Sequence, residues 1–355
     1  MKRLPQKTSL VTQTAAVIRE EIEAGRWTSW LPGEHELCAQ LHVSRTTVRA
    51  ALEELSRQQI IKSHQGRRRE IIVRKSSRLK TKSNRVVILM PDPLQGMMFR
   101  AFLIDRMREH LAKEGYLLET HVSRVPFRAR SAQEMEKLAT MLNPAGWVLM
   151  SSPEALQKWF ADRHLPCVIA GTRFHGIDLP SVDVDYGAVC HHAVGKFLSR
   201  GHQRIVLLNP HPGAAGEAVT EAGFQKAALE AKARGVEGTV VTHNGTVENI
   251  RSRLDTLMAR REPPTGFLVS RARHALTVLC YMSQKGFRVP KDVAIISRDH
   301  ETFLEDVIPS MARYSNKSSV LAARLSRTVI EMVHGTNRSV DYKIMSQFVP
   351  GETLG

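Results

Sequence analysis

The chain has 355 residues, with 51 Lys and Arg against 35 Asp and Glu, a formal net charge of +16, 42% hydrophobic residues and four cysteines. That length suits two or three domains, and the charge points to a polyanionic partner. The scattered cysteines, with no C-x-x-C pair, argue against a disulfide framework. The start MKRLPQK lacks an apolar stretch after its charges and no run of 18 apolar residues occurs, so the expectation is a cytoplasmic protein with no membrane partner. The charge is uneven: residues 1–85 hold 18 Lys and Arg against 8 Asp and Glu, and the rest hold 33 against 27.

In chain order, Val11, Ala15, Ile18 and Ile22 repeat at helical spacing in a segment ended near Gly25. A second helix is predicted over about Glu34 to Leu41, packing Leu37, Cys38 and Leu41, with His42-Val43 as a tight turn. Ser44 is placed to cap a third helix. There Val48, Ala51, Leu52 and Leu55 make one apolar stripe, and Arg45, Thr46 and Arg49 fall on another face. Guanidinium forks and hydroxyls on the exposed N-terminal half of a helix are the groups that reach guanine O6/N7 and phosphate oxygens in a major groove. Ile60-Ile61 then begins a strand, His64-Gln65-Gly66 turns, and Ile71-Ile72-Val73 returns. Arg67, Arg68 and Arg69 flank a tip whose glycine lets the backbone approach phosphates closely.

Pro32-Gly33-Glu34, Val43-Ser44-Arg45-Thr46-Thr47-Val48-Arg49, Leu52-x-x-Leu55 and Gly66 together resemble the N-terminal winged helix-turn-helix of GntR-family bacterial regulators, over about Leu10 to Val73. The resemblance implies DNA contacts from a basic residue early in the second helix, from the segment opening the third, and from the wing tip. Here these are His35, Ser44, Arg45, Thr46, Thr47, Arg49, Gln65 and Gly66, with Arg67 beside them. The family usually has Arg where this chain has His35, a departure that would weaken that contact or make it pH-sensitive.

Residues 75–85, within the basic and apolar-poor stretch RKSSRLKTKSNR, are expected to link residues 1–74 to a second domain over 86–355. Two readings of the linker stay open: ordering along DNA, or a solvated tether. From Val86 onward, short apolar runs recur at 86–90, 147–150, 167–170, 205–208, 238–242, 266–269 and 293–296, separated by helical segments. Such alternation predicts parallel sheets built from βαβ units in two Rossmann-like lobes. The fold expected for the whole chain is therefore a mostly α winged helix-turn-helix with a β-hairpin wing, joined to a two-lobed α/β domain.

The segment PSVDVDYGAVCHHAVGKFLSRGHQRIVLL (180–208), with Glu221-Ala222-Gly223-Phe224 and the 286–293 stretch, resembles the periplasmic-binding-protein-like effector domain of LacI/GalR regulators. That resemblance implies homodimerisation and a small-molecule effector between the lobes, at the carboxyl ends of the strands. The matching positions are Asp92, Gln95, Ser151, Asp185, Thr220, Phe224, Ser270, Arg271 and Asp299. Two departures stand out: Thr220 where the family commonly has Arg, and Ser270-Arg271 where it commonly has Asn-Asp. Three readings of the pocket stay open: an altered, anionic ligand, a neutral sugar, or no small ligand.

Adjacent helical residues point about 100° apart, so Cys190-His191-His192 is not expected to hold a metal. Gly213 to Gly216 lacks the Lys-Ser/Thr of a phosphate loop and is expected to cover the cleft. No cofactor motif and no nucleophile–base constellation occurs, so no enzyme activity is expected. The two resemblances together imply a sequence-specific transcription regulator, a repressor, that binds a palindromic double-stranded operator as a homodimer. The rivals are a DNA-binding dimer with a ligand-free effector domain and a Rossmann-like enzyme with a DNA-binding head.

Overall fold

The computed structural model describes residues 10–23, 26–27, 30–57, 60–62, 69–71, 83–91, 97–128, 132–211, 213–336 and 340–355. The expected contacts Gln65, Gly66, Arg67, Asp92 and Gln95, most of the predicted linker and the return-strand residues Ile72-Val73 lie outside them. The chain forms two compact units, Met1–Lys82 and Ser83–Gly355.

The first unit contains α1 (Leu10–Glu23), α2 (Glu34–Leu41) and α3 (Arg45–Arg57), then the strands β1 (Ile61–Lys62) and β2 (Glu70–Ile71). His42 takes a left-handed conformation (φ 53°) that stops α2. Two residues later the Ser44 hydroxyl accepts the Thr47 N–H at 3.2 Å and starts α3. The apolar stripe of α3 is fully buried against Ile18, Leu31 and Leu37. β1 and β2 pair antiparallel with Ile61 opposite Ile71, so both isoleucines face this core.

The second unit runs β3 (Arg85–Met90), α4 (Met97–Lys113), β4 (Leu117–Val122), α5 (Ala132–Leu142), β5 (Gly146–Met150), α6 (Glu154–Asp162), β6 (Cys167–Ala170) and β7 (Ser181–Val184). It continues with α7 (Tyr186–Ser199), β8 (Arg204–Pro210), α8 (Ala215–Glu230), β9 (Glu237–His243), α9 (Val247–Met258), β10 (Gly266–Val269), α10 (Ala272–Gln284), β11 (Ala294–Ser297) and β12 (Ala312–Ser315). It ends with α11 (Ser318–Val333), β13 (Asp341–Ile344) and β14 (Gln347–Val349). Two six-stranded sheets result, in the orders β13-β7-β6-β5-β3-β4 and β14-β12-β11-β10-β8-β9. The first is parallel throughout, and the second is parallel except for β14. Both faces of each sheet are covered, which is why its central strands are continuous apolar runs.

The chain crosses between the lobes three times: at Asp185, at Asn316-Lys317 and at Met345-Ser346. The crossings are bonded to one another. The Asp185 N–H donates to the Ile344 carbonyl at 3.0 Å, and the Ser346 hydroxyl donates to Asn316 Oδ1 at 2.7 Å. Asp185 also caps α7, its Oδ1 accepting the Ala188 N–H at 2.9 Å. α7 and α8 meet at a glycine pair, where a Cβ added to Gly223 would lie 2.9 Å from Gly187 Cα. Among the described residues, no helix is long and apolar enough to cross a membrane.

A buried histidine pair ties β9 to α10. The rings of His243 and His274 stand edge to face, 4.5 Å apart, and both side chains are buried. His243 Nδ1 accepts the Gly245 N–H, and His274 Nε2 accepts Arg273 Nε. Burial, with Arg273 nearby, pulls His243 down to about 4. Burial, His243 and Arg273 pull His274 to about 3. The native state therefore keeps both rings neutral, while the unfolded chain takes up protons below about pH 6.5. Stability should fall as pH drops from about 6.5 to 4, with His243 accounting for roughly 3 kcal/mol. Urea melts across that range would show it, and a His243→Asn variant should flatten the dependence.

Candidate functional site

The outward face of the first unit is organised by one acid. Glu34 opens α2, and its carboxylate receives three arginines: Arg49 Nε at 3.0 Å, Arg69 at 3.1 Å and Arg45 Nε at 3.4 Å. Burial pushes the Glu34 carboxyl up, but the hydrogen bonds from Arg69, Arg49 and Arg45 more than offset this and hold it below its ordinary value. Arg45 and Arg49 remain 64% and 56% exposed. The hydroxyls of Thr46 and Thr47 each lie 2.8 Å from Ser44 Oγ at the start of α3, and His35 is exposed on α2. The structure thus brings Ser44, Arg45, Thr46, Thr47 and Arg49 onto one helix end.

Sequence reasoning quoted Glu34 only as part of a motif and gave it no role. The available signal was an acid placed among arginines on a basic face. Its effect is to restrict three flexible side chains before any partner arrives, lowering the ordering cost of binding. Glu34→Ala should raise non-specific DNA affinity by removing a negative charge, and lower the specific-to-non-specific ratio by about tenfold. Competition binding at fixed salt would measure both.

In the second unit, a cavity of about 590 Å³ lies between the lobes. Its lobe-one wall is largely apolar, with Phe99, Leu103, Met150, Ile169, Val182 and Leu321, and carries Arg100 and Ser151 as well, joined at 2.9 Å. The lobe-two wall is charged. It comprises the N-terminal turn of α8, Arg271 to Arg273 at the start of α10, and Arg298 to Glu301 after β11. The described lining includes four arginines (Arg100, Arg271, Arg273, Arg298) and four acids (Asp183, Glu217, Asp299, Glu301).

These charges are interlocked. Arg298 is buried, and grips Asp299 through Nε at 3.0 Å and a second nitrogen at 3.3 Å. It also donates to the Thr220 hydroxyl at 2.5 Å and covers the Tyr186 ring at 4.3 Å. Burial opposes the Arg298 charge, but Asp299 and its neighbours more than restore it. Arg271 bonds Glu217 and reaches Asp299 at 3.4 Å. Across the cleft, the Asp183 carboxylate accepts from the Thr172 hydroxyl and from the Val184 N–H. Burial pushes its carboxyl above the ordinary range. Burial and the charge of Asp299 do the same for Glu301.

Of the expected effector residues, Ser151, Arg271 and Asp299 line this cavity. Four others do other work. Phe224 is fully buried in the lobe-two core, because its face of α8 packs on β8 and β9. Ser270 is fully buried and donates to Asn209 Oδ1 at 2.6 Å, so it braces one strand end against another. Thr220 is buried, and its hydroxyl donates to Gly216 O. Asp185 caps α7 at a lobe crossing. The departure at Thr220 also changes meaning: a guanidinium does arrive there, delivered from the end of β11 by Arg298. Sequence reasoning missed Arg298, Glu217, Asp183 and Arg100. Of the Gly213 to Gly216 stretch expected as a loop over the cleft, Gly213 and Ala214 are non-helical, Ala215 and Gly216 open α8, and residues 214–216 line the cavity.

Residues 10–71 match the model of bacterial regulatory proteins of the gntR family, and residues 194–354 match the periplasmic binding protein-like domain. The first unit is thus similar to the gntR family of bacterial regulatory proteins, and the C-terminal part of the second to the periplasmic binding protein-like domain. The HTH-type transcriptional repressor PurR of Vibrio atlanticus (strain LGP32) is 25% identical over 148 residues, covering 38% of this chain and 44% of that protein. The match therefore spans less than half of that curated relative. A putative transcriptional regulator LacI from Bacillus cereus subsp. cytotoxis NVH 391-98 superposes with a TM-score of 0.67 at 19% identity, over 76% of this chain and 98% of that one. A transcriptional regulator CelR–cellobiose complex superposes with a TM-score of 0.68 at 17% identity, over 98% of this chain and 100% of that one. Both structures show the same fold.

Proposed function

We propose that this chain is a sequence-specific DNA-binding transcription regulator, a repressor, which binds a palindromic operator as a homodimer and responds to a small molecule held between its lobes. The observation that carries the reading is the trio of arginines held by Glu34, two of them outward on the capped end of α3. Exposed forks in that position match the hydrogen-bonding edge of guanine and the phosphates flanking it. His35, Gln65, Gly66 and Arg67 extend the proposed contact surface. Two heads related by a dimer axis would read two half-sites, with effector domains supplying the contacts between protomers. A ligand preferring one lobe arrangement would shift operator affinity by its differential affinity for the two.

The relation of the cleft walls bears on the ligand. Two arginines at the start of α10, Arg271 and Arg273, favour an anion, but Arg271 is already engaged by Glu217 and Asp299 and Arg273 donates to His274. A small molecule without negative charge, apolar on one face and hydrogen-bonding on the other, fits this lining better than an anion. Ser151, Arg271 and Asp299 are the expected residues proposed to form its site. Genome-wide mapping of bound sites tests the regulator reading. Recovery of an inverted repeat with half-sites about one helical turn apart supports it. Uniform, sequence-independent occupancy would reject it.

A further inference from the structure

The charged wall of the cleft contains a buried carboxylate that is only half used. Glu217 is 5% exposed. One of its oxygens meets Arg271, and the other has no hydrogen-bond partner. Asp299 takes the other arm of the same guanidinium. The two sides of this contact differ in exposure. Glu217 is buried in the first turn of α8, whereas the Arg271 side chain is 42% exposed. A buried carboxylate needs a cation or strong donors beside it, because burying it ionised and bare is costly. The facing wall, with Phe99, Leu103, Ile169 and Leu321, offers a large apolar surface.

Resting on the effector reading of the cleft, we propose that Arg271 occupies a receptor for a cationic N–H donor. The effector is then an amphipathic molecule whose amidine-, guanidine- or amine-bearing edge replaces Arg271 on Glu217 and Asp299. Its apolar face lies on the lobe-one wall. An entering anion would have to draw Arg271 off both carboxylates and leave Glu217 bare, Asp299 still being held by Arg298. A ligand with hydroxyls alone, taking the place of Arg271, would leave the Glu217 charge uncompensated. A planar cation replaces like with like, and its paired N–H groups can use the second Glu217 oxygen that Arg271 leaves unpartnered.

The test uses the full chain and four probes: benzamidine, benzoate, benzyl alcohol and D-glucose, followed by ligand-observed NMR and thermal melting. Benzamidine is expected to bind at least tenfold more tightly than the other three. Arg271→Ala removes the internal competitor and should bind benzamidine at least tenfold more tightly than the parent, regaining melting temperature as it does so. Glu217→Gln should lose the preference for benzamidine over benzyl alcohol. If Arg271→Ala folds only with benzamidine present, that rescue supports the receptor. Arg271→Lys, which keeps charge but loses the fork, should then show an intermediate gain, and an affinity equal to the parent's would overturn the idea. Tighter binding of benzoate or D-glucose to the parent protein overturns it too, while leaving a cleft effector in place. No binding by any probe, with operator binding by the same preparation intact, overturns it and leaves the DNA-reading head untouched.

Discussion

Replacing Arg45 and Arg49 together by alanine should weaken binding to the mapped operator by two orders of magnitude or more, with the head still folded. Each fork that meets a base edge or phosphate is worth roughly 1–3 kcal/mol. The two losses should not simply add, because both side chains share Glu34 as a partner. Folding should survive, since both arginines are more than half exposed and the helix is held by the buried stripe on its other side. Mobility shifts at fixed salt give the affinity, and a salt series separates the roles. A fork on phosphate contributes about one unit to the slope of log affinity against log salt, whereas a fork that only reads a base leaves the slope nearly unchanged. Unaltered affinity in the double variant would show that α3 is not the reading helix.

The largest stability effect is expected at Phe224. Its ring is fully enclosed in the lobe-two core with Val189, Leu207, Ala228 and Leu268, and it sits against Gly238, where an added Cβ would come within 3.3 Å of the ring. Phe224→Ala should cost about 3–5 kcal/mol, the transfer loss plus the cavity left behind. Phe224→Leu, which keeps most of the volume, should cost less than about 1.5 kcal/mol. Urea unfolding of the second unit distinguishes this from the role implied by family resemblance. A ligand-contacting phenylalanine would change effector affinity and leave the unfolding midpoint almost where it was.

The head was legible in the sequence because its signals are local. Ser44, the stripe from Val48 to Leu55 and the outward arginines lie within 12 consecutive residues. The central strands were legible for a related reason, since burial on both faces makes them continuous apolar runs. Of the edge strands only β9 was, and the inner strands β7 and β12 were missed with the other three edges. β4, β13 and β14 have alternating or exposed patterns, and only their long-range partners define them as strands. The cleft was the least legible part. Arg298 meets Thr220 across 78 positions, and Arg271 meets Glu217 across 54. Aligned positions such as Ser270 and Phe224 identify a strand end or a helix turn, but the direction each side chain takes depends on what packs behind it. Glu34 went unassigned because an acid has no obvious place on a surface meant for phosphates, until its three partners are seen converging on it.

The edge strands β13 and β14 carry a consequence for biogenesis. Residues 341–344 finish one sheet, and residues 347–349, after only two intervening residues, finish the other. Until that stretch leaves the ribosome, the outer rims of β7 and β12 present unsatisfied amides and carbonyls in a second unit whose other strands have all been made. Both rims are then sealed almost simultaneously by one short ribbon. Translation stalled just upstream would yield a species with two sticky flanks, prone to recruit its neighbours on the polysome.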